Sequence, residues 1–288
     1  MKRFSIIILT FFLSVSALAY IPTTHFILDR VAASHGKGAY SIDLEVVFRE
    51  GGDSYTAREN WIVGEDGSLR VFASGPEGFR TYRLKKINRI YWTDTGRVDR
   101  SEEATNDYIM FPLLTRSTLE IKRFFVRWNI IPAEVLTPRH TVDLKEVKSV
   151  KELAPEKEDF VRLGRTAGAV TYTFGVPTPA NSKPNPGLWV EQDAFAVRLM
   201  RAPSGAELAA SDYAPYSKGL WFPRSQTLTF DNHSVAIRTV RVQSVELSRD
   251  QKAQLDASYL RQKIENTLTV WPRHSLATQV QEFYKRFR

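Results

Sequence analysis

The feature that most constrains the fold is an apolar–polar alternation with a period of two, which begins after Gly38. The apolar members of its first segment fall on one face: Tyr40, Ile42, Leu44, Val46 and Phe48. Polar side chains fall on the other face, with Val47 as the exception. Because successive side chains of a β-strand point to opposite sides, this segment predicts a half-buried strand whose second face is polar.

Further strands are predicted on both sides of a central interruption. Turn residues rich in Gly, Asp and Pro divide residues 39–96 into short segments, which is typical of an antiparallel meander. After the interruption we predict strands at 170–174, 188–200, 205–213, 220–230 and 235–247. The proline-rich segment 175–187 predicts a long loop. A change of phase near Ser244 predicts a β-bulge in the last strand.

Helical spacing of apolar residues predicts helices in three regions, of which the first is 24–34. The second begins at a capping box formed by Ser117 and Glu120. Its apolar face comprises Ile121, Phe124, Phe125 and Trp128. The third region begins at a capping box of Ser248 and Gln251, and its last helix is predicted to be capped by Ser275. That last helix has one apolar stripe, made of Leu276, Val280, Phe283, Tyr284 and Phe287.

The first 19 residues have the pattern of a secretory signal peptide. Lys2 and Arg3 precede an apolar run over 4–15, and Ala17-Leu18-Ala19 forms a small-x-small cleavage site. The run is short for a membrane span. Tyr20 stands where a bacterial lipoprotein needs cysteine. We therefore expect a protein exported to the periplasm, soluble and not lipid-anchored.

Composition and motifs exclude several classes of function. The chain of 288 residues has no cysteine, which excludes disulfides, thiolate metal sites and a cysteine nucleophile. Its histidines form no HExxH or HxH pattern, and no P-loop, GxSxG or GxGxxG motif occurs. The net charge of +8 is scattered along the chain, which predicts no nucleic-acid partner and at most peripheral membrane contact. We predict no catalytic residue, no metal and no cofactor, although catalytic groups that meet only in space leave no motif.

Aromatic residues in the predicted strands allow two interpretations. Trp61, Trp92, Trp189 and Trp221 all fall in predicted strands. A curled antiparallel sheet can bury such side chains as ordinary core, which the residues alone favour. The same sheet can also leave a cavity for an apolar ligand between itself and its helices.

A series of motifs supports the second interpretation. The sequence has GLWVE at 187–191, FAVRL at 195–199, SDY at 211–213, GLWFPR at 219–224 and VRVQSVEL at 240–247. The N-terminal half has RENWIVG at 58–64, after a leading helix and a long strand. This order resembles the LolA/LolB-like superfamily of periplasmic carriers that sort outer-membrane lipoproteins. The length of the chain and the helix at 275–288 have no counterpart in that pattern.

The resemblance implies an α+β, mainly β fold: a curved antiparallel half-open β-barrel with helices covering the open side. After the signal peptide at 1–19, it implies a half-barrel domain at 20–247 with a helical insertion around 101–131. Helices at 248–288 are expected to pack on the same domain. Residues 111–130 are the expected lid.

The implied function is to bind or carry lipoproteins or lipids, with the acyl chains held in a hydrophobic cavity and no covalent chemistry. Twelve residues are the candidates for its lining: Leu44, Val46, Phe48, Trp61, Val63, Trp92, Phe124, Phe125, Trp128, Trp189, Phe195 and Phe222. The alternative is a periplasmic sensor or regulatory module of the same fold that docks an envelope protein partner. In that case the stripe of the last helix is the docking surface, unless the stripe packs on its own sheet.

Overall fold

A computed structural model describes residues 21–86, 89–94, 97–101, 107–136 and 161–288. The predicted signal peptide lies outside these residues, as does the segment 143–158, which is rich in charged residues. Within the described ranges, no helix combines the length and the apolar character needed to cross a membrane.

The described residues contain thirteen strands and six α-helices. The strands are β1 (Ala39–Glu50), β2 (Asp53–Val63), β3 (Leu69–Ser74), β4 (Arg80–Lys86), β5 (Arg89–Asp94), β6 (Arg97–Ser101), β7 (Val161–Thr166), β8 (Ala169–Phe174), β9 (Gly187–Glu191), β10 (Val197–Arg201), β11 (Glu207–Tyr216), β12 (Leu220–Phe230) and β13 (His233–Val245). The helices are α1 (Thr24–Ala33), α2 (Thr118–Arg127), α3 (Arg249–Gln254), α4 (Ala257–Gln262), α5 (Ile264–Thr267) and α6 (Ala277–Phe287).

All these strands belong to one antiparallel sheet, which confirms the predicted fold class. The strand order is β6-β5-β4-β3-β2-β1-β13-β12-β11-β10-β9-β8-β7. Strand β1 lies beside the central strand, β13, and pairs with both β2 and β13. The sheet does not close, because β6 and β7 form its two edges.

The alternation that predicted β1 is also what builds the core. Tyr40, Ile42, Leu44, Val46 and Phe48 are each at most 1% exposed and belong to one apolar cluster. The same cluster includes side chains of α1, α2 and α6. Those three helices therefore cover the concave face of the sheet, and burial of apolar surface between the two layers stabilises the fold.

A second apolar cluster lies on the opposite face of β2 and β4. Ile62, Tyr82 and Leu84 project away from the main core and pack against Leu255 and Leu260. Leu255 is the C-cap of α3, and Leu260 lies in α4. The short helices α3 and α4 therefore cover this part of the second face.

Three local predictions are corrected by the structure. The bulge in β13 lies at Val240, where Asp43 pairs with Arg241 and Leu44 pairs with Thr239. The strand predicted at 188–200 is a hairpin of β9 and β10, because the chain turns between them. Ser275 does not cap α6, since its hydroxyl donates to Asp53 at 2.6 Å. The capping box of Ser248 and Gln251 is confirmed.

A buried histidine joins the end of α1 to the segment before α2. His35 is 4% exposed, and its Nδ1–H donates to the carbonyl oxygen of Thr115 at 2.6 Å. Burial lowers the pKa of His35 from 6.5 to about 4; the hydrogen bond to Thr115 opposes this shift and the charge of Arg116 adds to it. The imidazole is therefore neutral in the folded protein at physiological pH.

This lowered pKa predicts a loss of stability in acid. Below pH 6.5 the unfolded chain binds a proton at His35, whereas the folded chain does so only near pH 4. Stability therefore falls as pH drops through this window, by on the order of 3 kcal/mol from this group. We expect His35→Asn, whose amide can also donate to Thr115, to flatten the stability profile measured by urea unfolding. The exposed His25→Asn is the matched control, and an unchanged profile in His35→Asn would contradict the assignment.

Candidate ligand-binding interior

The interior is the apolar region between the concave face of the sheet and helices α1, α2 and α6. Nine of the twelve residues predicted to line a cavity are buried in its single cluster: Leu44, Val46, Phe48, Trp61, Val63, Phe124, Phe125, Trp128 and Phe222. They come from strands β1, β2 and β12, from helix α2 and from its C-cap, so the fold brings together residues that are distant in sequence.

Two more of the predicted residues lie at the margin of the interior. Trp92 is partly buried against the main cluster, and the guanidinium carbon of Arg83 lies 5.4 Å from the centroid of its ring. Phe195 is also partly buried, with its ring 5.8 Å from that of Phe26 and 6.0 Å from that of Tyr172. Trp92 and Phe195 therefore lie at the edge of the main apolar cluster and are partly exposed to solvent.

Trp189 lies on the other face of the sheet. Its neighbours in β9, Leu188 and Val190, are buried in the main cluster, so Trp189 points away from the interior. Its ring lies 5.2 Å from the guanidinium carbon of Arg201. The ring also covers Gly187, where a Cβ atom would come within 2.7 Å of it.

The aromatic face predicted for α2 is directed inward. Ser117 caps the helix by accepting a hydrogen bond from the backbone N–H of Glu120. Helical spacing then places Phe124, Phe125 and Trp128 together, with the rings of Phe124 and Trp128 4.4 Å apart. All three side chains are at most 4% exposed, so α2 covers the concave face; that it acts as a lid stays a prediction.

Helix α6 is the second aromatic cover of the interior. Its stripe is at most 2% exposed. The ring centroid of Phe283 lies 5.2 Å from that of Phe48, and Phe287 lies 4.9 Å from Phe230. Tyr284 lies 5.2 Å from Phe79. The stripe therefore packs on its own sheet and is not an exposed docking surface.

A buried ion pair lies within this apolar region. The Nε of Arg288 donates to both carboxylate oxygens of Glu59, at 3.0 and 3.2 Å. The indole Nε1 of Trp61 donates to Glu59 at 2.9 Å. The side chains of Arg288 and Glu59 are 1% and 0% exposed. The guanidinium carbon of Arg288 also lies 4.5 Å from the ring of Phe283 and 5.3 Å from that of Trp61.

Sequence reasoning missed Glu59 and Arg288 as interior residues. The alternation along β2 could have indicated the position of Glu59, because Glu59 is two residues from both Ala57 and Trp61, which face inward. Arg288 follows Lys285 and Arg286 in a basic C-terminal segment. Nothing in this local sequence indicates that Arg288 pairs with Glu59, which is more than half the chain away.

Several buried polar groups in the interior have no hydrogen-bond partner. They are both carboxamide atoms of Gln226 and of Gln279, the indole nitrogen of Trp128 and Nη2 of Arg288. Gln226 lies on the concave face of β12, between Ala210 on β11 and Ile237 on β13. An unpaired buried polar group costs about 1–3 kcal/mol, so these groups reduce the stability of the packed interior.

The two buried phenols of the interior, Tyr284 and Tyr108, are neutral. Burial raises the pKa of Tyr284 well above its ordinary value, with the charge of Glu59 acting in the same direction. Burial also raises the pKa of Tyr108. Both phenols are therefore protonated at physiological pH. Among the described residues, no group of three His, Asp or Glu side chains is placed to hold a metal ion.

Comparisons with known proteins find similar solved structures at low sequence identity. No protein-family model matches the chain, and no curated protein has a significant sequence match to it. A LolA superfamily protein from Nitrosomonas europaea is similar at 10% identity and a TM-score of 0.48, over 80% of this chain and 97% of that chain. A putative outer membrane lipoprotein-sorting protein domain from Vibrio parahaemolyticus has 11% identity and a TM-score of 0.45, over 81% and 98%.

The complex of MucA and MucB from Pseudomonas aeruginosa is also similar, at 12% identity and a TM-score of 0.26. The alignment covers 81% of this chain and 60% of that chain. The architecture is an open antiparallel half-barrel with helices on its concave face.

Proposed function

We propose that this protein binds the acyl chains of lipids or lipoproteins in its interior, in the periplasm and without covalent chemistry. The observation that carries the proposal is the continuous apolar cluster formed by the concave faces of β1 and β2 with the aromatic face of α2. A sheet that is not closed allows such a cluster to be reached from one side, which a closed barrel with a filled core does not.

The energetics favour long unbranched ligands. Each buried CH₂ group contributes about 0.8 kcal/mol, so a fatty-acyl chain gains enough from burial to be held outside a membrane. The aromatic side chains of α2 and α6 now pack in the interior, so a ligand binds by replacing contacts that the protein makes with itself.

Mass spectrometry of organic extracts from the protein purified from a bacterial periplasm tests the proposal. We expect a lipid or lipopeptide at close to stoichiometric amount. Phe124→Ala removes an interior ring and is expected to reduce the amount of bound lipid. Trp189→Ala, which alters a tryptophan on the other face, is the matched control and is expected to leave it unchanged. A well-folded protein with a clean extract would contradict the proposal.

The alternative function is that the same fold docks an envelope protein partner. The burial of the α6 stripe removes the surface first expected to serve that role. A clean lipid extract combined with co-purification of one stoichiometric periplasmic protein would favour this alternative over acyl-chain binding.

A further inference from the structure

Helix α6 occupies the surface that the proposed function assigns to the ligand. Its Phe283 packs on Phe48, and the Arg288 side chain that follows the helix packs on Trp61. Phe48 and Trp61 are inward-facing residues of β1 and β2. An acyl chain lying along these two strands and α6 therefore cannot occupy the same volume at the same time.

The backbone of α6 is independent of the sheet. In the described part of the chain, the backbone hydrogen bonds of residues 277–288 remain within 274–288. By contrast, Val270 exchanges backbone hydrogen bonds with Arg80, at 2.8 and 3.0 Å. Ser275 is held by its hydrogen bond to Asp53. The chain is thus fixed up to Ser275, and α6 can leave the interior without breaking a strand pair.

The docked helix and the residue after it also contain buried polar groups that have no hydrogen-bond partner. Gln279 is 2% exposed and neither of its carboxamide atoms has a partner. Nη2 of Arg288 is likewise unpaired, and the ion pair with Glu59 is fully desolvated. Gln279 and Arg288 regain water when α6 is released, which offsets part of the apolar contact that is lost.

We infer that α6 is a displaceable, autoinhibitory occupant of the interior, and that acyl chains bind by competing with it. This inference rests on the proposed function. Arg286 forms the outer latch of the docked helix, because it pairs with Asp107 at 3.0 Å and with Asp231. Asp231 belongs to the turn between β12 and β13, so the latch joins α6 to the rim of the sheet.

Thiol labelling measures displacement directly, because the chain has no cysteine of its own. We expect Gln279→Cys to react slowly with a maleimide in the free protein and at least about tenfold faster with saturating palmitate, because the bound ligand shifts the population toward released α6. Ala32→Cys places a thiol at a buried position of α1, 5% exposed, and is expected to stay slow in both states.

Removal of the latch provides a second, independent readout. Arg286→Ala is expected to lower the apparent Kd for palmitate by about tenfold, since a larger fraction of the protein is then open to ligand. Arg238→Ala removes an exposed arginine paired with Glu45 and is the matched control, with no expected change.

The outcomes separate the two proposals. If native mass spectrometry shows palmitate bound to the wild-type protein while the labelling rate of Gln279→Cys is unchanged, α6 is a fixed part of the core. That result overturns the inference and leaves the proposed function standing. If palmitate binds neither the wild-type protein nor Arg286→Ala, both proposals fail.

Discussion

Replacement of Glu59 by alanine is expected to lower the free energy of unfolding by about 3–5 kcal/mol, because it leaves the buried guanidinium of Arg288 without its counter-charge. The two side chains are 0% and 1% exposed, so water cannot take over the role of the carboxylate. The substitution also removes the acceptor of the Trp61 indole N–H. Urea unfolding measures the loss as a lower midpoint, provided that the slope of the transition is unchanged.

The matched comparison is the double variant Glu59→Leu with Arg288→Met, which replaces both charges by apolar groups of similar size. Its stability is expected to return to within about 1 kcal/mol of the wild type or to exceed it, because the desolvation cost of both ions disappears. A loss below about 1 kcal/mol in Glu59→Ala, with Gln279→Cys still slow to react with maleimide, would contradict the buried pair.

Replacement of Trp128 by alanine is expected to cost about 3–5 kcal/mol, because it empties a fully buried aromatic site beneath α2. Trp128 is 0% exposed, and its ring lies 4.4 Å from Phe124 and 6.5 Å from Phe125. Trp128→Phe is expected to cost much less, because the indole nitrogen has no hydrogen-bond partner to lose. Chemical denaturation of both variants measures the difference.

Leu119 on the same helix is the control for Trp128. It is 46% exposed, so Leu119→Ala is expected to change stability by no more than about 0.5 kcal/mol. A cost of that size in Trp128→Ala as well would mean that α2 does not pack on the sheet as described. A large cost confined to Trp128 would confirm that the lid is part of the folded core in the absence of ligand.

The sequence predicted the parts of this fold that depend on local periodicity. Alternation along β1 identified its buried face, and helical spacing identified the inward stripes of α2 and α6, because both patterns are complete within one element. The predicted curved, open antiparallel sheet is confirmed. The signal peptide and the acyl-binding role stay predictions.

The parts that were not predicted depend on contacts between distant elements. Pairing of Glu59 with Arg288 requires knowledge of where α6 lies, which no local pattern contains. Trp189 points away from the interior because its two neighbours, Leu188 and Val190, both face inward. Burial of these two side chains decides the orientation of the strand, although Trp189 is the larger side chain. The second apolar cluster around Tyr82 exists only because α3 and α4 return to the opposite face of the sheet.

The pairing of β1 with β13 has a consequence for the order of folding. This central seam joins segments separated by most of the chain, whereas the other strand pairs join neighbours along the sequence. Closing so long a loop costs chain entropy before any contact is gained, so the two halves of the sheet are expected to form first. Until they meet, β1 and β13 are free edges that can pair with other molecules. Refolding is therefore expected to be slow, with a yield that falls as protein concentration rises.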